Sequence, residues 1–255
     1  DLSLIRFLKT SDVESIEINK FASEYGLRGA NGVLYGADAV GGIVNSLSSD
    51  PYFSDSKKIQ MVDILGRISS AEHSWSTGFS TVFSSPKWFA EISHIERSFG
   101  DLEGGKNIGQ QNNTGYDGRG TRLRLSRKLS DDSNLVIGLQ ETFMDDVPRT
   151  HKTTDGLDWE GLSKGSEIWR RLDQKRNLYY GRIDWEDIEG FANSGQLILS
   201  LHSHYQERNR MKGSAGVPIG GDLQTFDLND IGLVARFEKE HFFGGILAYG
   251  TELHH

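Results

Sequence analysis

From about residue 57 to the end, the chain alternates apolar and polar residues in long segments separated by polar stretches. Nine segments carry the pattern: 58–69, 73–84, 87–98, 118–129, 134–145, 176–188, 195–207, 227–239 and 244–254. In the second, Trp75, Thr77, Phe79, Thr81 and Phe83 alternate with Ser74, Ser76, Gly78 and Ser80. In the fourth, Thr121, Leu123 and Leu125 alternate with Arg122, Arg124, Ser126 and Lys128. In the seventh, Leu197, Leu199, Leu201 and Tyr205 oppose Ser200, His202, His204 and Gln206; in the eighth, Ile231, Leu233, Ala235 and Phe237 oppose Asp230, Gly232, Arg236 and Glu238. A period of 2 rather than 3.6 predicts strands with one apolar face. The first segment is less clean, with Val62, Ile64 and Ile68 on one face and Asp63 and Arg67 on the other.

The connections alternate in length. Tight links are expected at 84–87, 130–133, 189–194 and 240–243, and long ones at 100–117, 146–174 and 208–226. Short turns at one end and long loops at the other describe an outer-membrane barrel, whose periplasmic turns are short and whose extracellular loops are long. A soluble β-sandwich has the same alternation, but its strands usually run about 5–6 residues.

Composition narrows the field. No apolar run approaches the ~20 residues of a membrane helix. That leaves a transmembrane barrel open, because only every second residue of its strands faces lipid. Glycine is abundant at 30 residues and proline scarce at 4. The formal charge of -8 argues against nucleic acid as a partner. With no cysteine there is no disulfide framework, zinc ribbon or thiol nucleophile. The first residues lack the basic, apolar and small-residue regions of a signal peptide.

Residues 1–53 have a different texture, Gly-rich and without long alternation. Here Val13-Glu14-Ser15-Ile16-Glu17-Ile18 is followed by Leu34-Tyr35-Gly36-Ala37-Asp38-Ala39-Val40-Gly41-Gly42-Ile43-Val44-Asn45. The two stretches resemble the closing part of the plug domain of TonB-dependent outer-membrane receptors, where a V-E-x-I-E-V strand leads into L-Y-G-x-x-A-x-G-G-V-I-N. The stretch between them, Phe21 to Val33, is longer than the family's link and lacks its proline.

The resemblance implies an all-β membrane fold. Residues 1–53 would be the C-terminal part of the plug. Residues 57–255 would be the N-terminal strands of a partial antiparallel transmembrane barrel, about nine of the family's ~22. It further implies uptake of a scarce nutrient (siderophore-iron, cobalamin, haem or oligosaccharide) across the outer membrane into the periplasm. The partners would be the TonB energy-transducing complex, through a segment not in this chain, together with outer-membrane lipid and a small-molecule or chelate substrate. No bond is broken in such transport, so neither catalytic residues, a cofactor nor a bound metal is expected. Glu14, Ile16, Glu17, Tyr35, Gly36, Gly41, Gly42 and Asn45 would be the structural signature of the plug. Arg122, Arg124, Arg182, Asp184, Arg236 and Glu238 would face lumen or plug. The alternative is a soluble β-sandwich or passive barrel serving as a binding or adhesion module.

Little else suggests chemistry. The carboxylate pairs Asp145/Asp146, Asp184/Glu186 and Glu238/Glu240 suit a charged barrel wall as well as hydrolysis. His202 and His204 point to one face, but two histidines without a third ligand make a weak metal site. With Arg149 and His151 they are the candidate substrate contacts. Trp75, Trp88, Tyr179, Tyr180 and Trp185 are expected to face lipid or form an interfacial girdle.

Overall fold

The computed structural model describes residues 15–19, 43–47, 51–55, 58–105, 108–158, 161, 163–188, 190–214, 216–240 and 244–255. The chain divides into two compact units, 1–51 and 52–255. In the first, β1 (Ser15–Asn19) and β2 (Ile43–Leu47) pair antiparallel, with Glu17 opposite Asn45. The two halves of the sequence motif thus become partners in one small sheet.

The second unit is built from β3 (Lys58–Ser69), β4 (Ser74–Ser84), β5 (Trp88–Phe99), β6 (Leu102–Gly104), β7 (Gly109–Gln111), β8 (Tyr116–Lys128), β9 (Ser133–Pro148), β10 (Glu167–Trp185), β11 (Ser194–Ser214), β12 (Val217–Glu240) and β13 (Ile246–His254). Nine of these make one antiparallel sheet in the order β3-β4-β5-β8-β9-β10-β11-β12-β13, and β6 and β7 form a small hairpin inside the β5–β8 connection. Every strand of the sheet pairs with its chain neighbour in the sheet, and β3 and β13 are open edges. Among the described residues there is no α-helix, only a 3-10 turn at Thr150–Lys152, and no helix long and apolar enough to cross a membrane.

All nine predicted segments fall on strands of this sheet, but three of the strands are longer than the alternation suggests. β10, β11 and β12 have 19, 21 and 24 residues. The expected long loop at 208–226 is instead the paired end of β11 and β12, closed around Gly216, whose φ of +80° suits glycine. On β12 an apolar period does continue through Val217, Ile219 and Leu223, but Gly216, Pro218, Gly220 and Gly221 read as a loop; on β11 it gives way to Arg208, Arg210 and Lys212, which pair across the strands. Arg210 stands directly opposite Asp222 and donates to it from Nε and Nη2 at 2.7 and 2.6 Å. Pro218 is accommodated because, among the described residues, β12 is paired on that side only at Gly232–Glu240.

The sheet is patterned inside out relative to a soluble one. Along β4 the serines are buried and the aromatics exposed: Ser80 is 2% accessible and Phe79, its neighbour, 43%. In β8, Gly118, Gly120, Arg122, Arg124 and Ser126 are buried, while Leu123 and Leu125 are exposed. Successive side chains of a strand point to opposite faces, so the sheet has an exposed apolar face and a buried face on which small, polar and charged residues mix with Val82, Phe89, Ile95, Val136 and Met144.

Candidate functional site

On the polar face, strand pairing puts Glu91 of β5 opposite Arg124 of β8. Both Arg122 and Arg124 donate to the same oxygen, Oε2 of Glu91, at 3.1 and 2.9 Å, with all three side chains almost fully buried. Arg124 also lies over the Phe89 ring at 5.1 Å, and Tyr52 meets that ring edge-on at 5.5 Å. One carboxylate is thus shared by two guanidinium groups, and Arg122 Nη1 is buried without an acceptor among the described residues. Arg182, Asp184, Arg236 and Glu238 share this face: Arg182 meets Asp184 at 2.9 Å, and Gln196, opposite Arg236, donates to Asp184 at 2.9 Å.

Tyr180 belongs here too, and not with the aromatics of the opposite face with which it was expected. It directly follows Tyr179, so it must point to the opposite face. Its ring lies over Gly138 on β9, where any Cβ would collide with it.

The exposed face is apolar and framed. Trp75, Trp88 and Tyr179 are exposed on it. At the short-turn end Arg127 stacks on Trp88 at 5.1 Å, and toward the other end Arg119 stacks on Phe143 at 4.9 Å. Between these levels β8 presents only Thr121, Leu123 and Leu125 to this face. From Arg119 to Arg127 the strand runs about 26 Å at ~3.3 Å per residue, before any tilt. A shallow apolar depression of about 770 Å³ crosses the middle of the band, with Ile92, Leu125, Ile137 and Leu199 in its wall.

Beyond the band, β10–β12 continue as a three-stranded extension held by ion pairs. Glu167 accepts from Arg170 at 2.7 Å and Arg210 at 3.0 Å, while Asp222 accepts from Arg210 and Lys212. Arg210's hydrogen bonds, opposed by burial and assisted by Lys212, hold the Asp222 carboxyl down at about 2. Burial raises Glu167, but its bonds to Arg170 and Arg210 outweigh that and lower it overall.

The candidate substrate contacts fall in two places. His202 and His204 are side by side on the polar face, ring centroids 6.4 Å apart. Arg176 donates from Nε to His202 Nε2 at 2.7 Å, which makes that nitrogen the unprotonated one; His204 meets Phe226 edge-on at 5.8 Å. Among the described residues no group of three or more His, Asp or Glu could close a metal site. Arg149 and His151 sit in the β9–β10 connection, at and within the 3-10 turn, with Arg149 N bonded to Arg170 O. Arg170 and Arg176, opposite His204, are about 20 Å apart along β10 at ~3.3 Å per residue, so the two pairs do not form one cluster.

Of the plug signature, Ile16 and Glu17 lie on β1 and Asn45 on β2; Glu14, Tyr35, Gly36, Gly41 and Gly42 lie outside the described residues. Sequence reasoning missed Glu91, Arg176 and the Arg170–Arg208–Arg210–Asp222 group. The alternate cations Arg208, Arg210 and Lys212 were a usable signal, hidden because apolar alternation stops before them. No model of a known protein family and no characterised protein matches the chain.

Proposed function

We propose that the chain belongs to a TonB-dependent outer-membrane receptor: the end of its plug and the first strands of its barrel, taking up a scarce nutrient into the periplasm. The observation that carries this reading is the inverted sheet. An exposed Leu/Ile/Phe face about 26 Å tall along the strand, edged by Arg–aromatic pairs, fits a hydrocarbon layer; outer-membrane barrels carry an apolar band ~25 Å tall with aromatic girdles. The buried face, where Ser, Gly, Arg and Glu sit among a few apolar side chains such as Phe89 and Val136, fits an interior filled by protein and polar groups. In water the same sheet would expose Ile64, Ile68, Phe79, Leu123 and Ile137 together, a larger apolar patch than soluble monomers carry. The plug-like motif supplies the family, and transport without bond breaking needs no catalytic group.

The test uses the absence of cysteine. Single variants Ser163→Cys, on an exposed part of the β9–β10 connection, and Asp131→Cys, at the exposed tip of the β8–β9 turn, are expressed from the native gene. Intact cells are treated with a membrane-impermeant maleimide. Position 163 should label at once and position 131 only after lysis. Labelling of neither before lysis would favour the soluble binding module instead.

A further inference from the structure

Resting on the receptor reading, we propose that the polar face of the β10–β12 extension binds small polyanions, solutes or chelates carrying several carboxylate or phosphate oxygens, through Arg170 and Arg208. The chain as a whole carries a charge of -8, yet this face is cationic. Arg170, Arg176, Arg208, Arg210 and Lys212 share it through the pairings Arg170↔Arg210 and Arg176↔His204, and they outnumber Glu167, Asp222 and Asp230. The other face of the same strands carries Asp173, Glu207 and Asp227 against Arg171 and Lys175. Charge is therefore sorted by face.

The cations on this face are not equally engaged. Arg210 is fully committed, forked onto Asp222 and bonded to Glu167. Arg170 gives one hydrogen bond to Glu167, and its Nε is buried without an acceptor among the described residues. Arg208 reaches Asp222 only at 3.9 Å, and its Nε is likewise buried without an acceptor. A desolvated guanidinium with so little compensation is costly unless an anion joins it.

The geometry suits one bridging anion. Arg208 stands opposite Leu172 and two residues from Arg210, the partner of Arg170. Such diagonal positions lie about 7–8 Å apart, and guanidinium forks match carboxylate and phosphate oxygens. Both side chains remain within reach of solutes, at 16% and 24% exposure. Below them Gln174 and Gln206, joined at 2.9 Å, offer neutral amide groups. The apolar band is on the opposite face of the sheet, so the ligand is a solute and not a lipid headgroup.

Calorimetric titration of the purified chain in detergent micelles tests this. The probes are tricarballylate and pyrophosphate, with spermidine as the cationic control. At least one anion should bind, more weakly at high salt. Combined Arg170→Gln and Arg208→Gln should weaken it roughly tenfold or more. Lys175→Gln, on the opposite face, should not. Arg208→Lys, which keeps the charge, should retain part of the affinity and guards against misfolding of the double variant. No binding of either anion, equal binding of spermidine, or affinity indifferent to Arg208 would overturn the proposal. Anion binding that depends on Arg208, in a protein that fails the maleimide test, would keep this site and remove transport. The reverse result would keep transport and remove this site.

Discussion

The nine-stranded sheet holds two regions that follow one backbone pattern and are stabilised by different means. Between the Arg127–Trp88 and Arg119–Phe143 levels, one face is exposed and apolar and the other buried, with small and charged residues set among Phe89, Ile95 and Val136. In the β10–β12 extension the face that carries Arg170, Arg208 and Arg210 is held by cross-strand ion pairs such as Arg210–Asp222, while Val217, Ile219 and Leu223 stand exposed on the other. The same chain therefore separates what a strand needs, continuous hydrogen-bonded pairing, from what its surroundings demand. Under the proposed receptor reading, the band suits a low-dielectric exterior and the ion-paired face of the extension suits water.

The largest effect should come from the band's buried charges. Glu91→Ala strands Arg122 and Arg124 without their shared carboxylate, and removing one partner from a buried ion group costs about 3–5 kcal/mol. Urea unfolding in lipid vesicles should show that loss, and a change under 1 kcal/mol would mean the triad is solvated. Next in size is a paired charge insertion. Leu123→Arg, on the apolar face, should destabilise by about 2–4 kcal/mol, the cost of arginine on a lipid face near mid-membrane. Thr225→Arg, exposed on the extension opposite Glu207, should stay within about 0.5 kcal/mol. Equal effects at the two positions would erase the distinction between the regions. The smallest effect is confined to the tip. The Asp222 carboxyl is held at about 2, below its ordinary 3.8. Its stabilising contribution is thus fully present above about pH 4 and lost as pH falls through about 2. Amides of Met211 and Gly221, which are paired, should exchange faster at pH 2.5 than at pH 5 after correction for intrinsic rates. Asp222→Asn should abolish that difference.

The band was legible in the sequence because exposed apolar and buried small residues alternate, as in Trp75-Ser76-Thr77-Gly78-Phe79-Ser80. The β11 part of the extension was not, since Asn209-Arg210-Met211-Lys212-Gly213 has no apolar period and its pairing depends on Asp222, Glu167 and Arg170, distant in sequence; on β12 the period of Val217, Ile219 and Leu223 was masked by the Gly and Pro residues between them. For the same reason His202 and His204 could be placed on one face, while their neighbours Arg176 and Phe226 could not be named. Tyr180 was misassigned to the girdle because aromatic composition suggested a role that strand parity forbids. Glu91 was passed over because a lone acid in an alternating strand looks like any polar position until β8 brings two arginines to it.

The Tyr180 ring over Gly138 works as a key in a notch. Sliding β10 along β9 by two residues would set that ring against Val136 or Gln140, where no notch exists. The pair therefore selects a single alignment of the two strands while the sheet is being laid down. It also ties the two positions together in evolution: a relative that gains a side chain at 138 should carry a small residue at 180, and one that keeps the ring should keep the glycine.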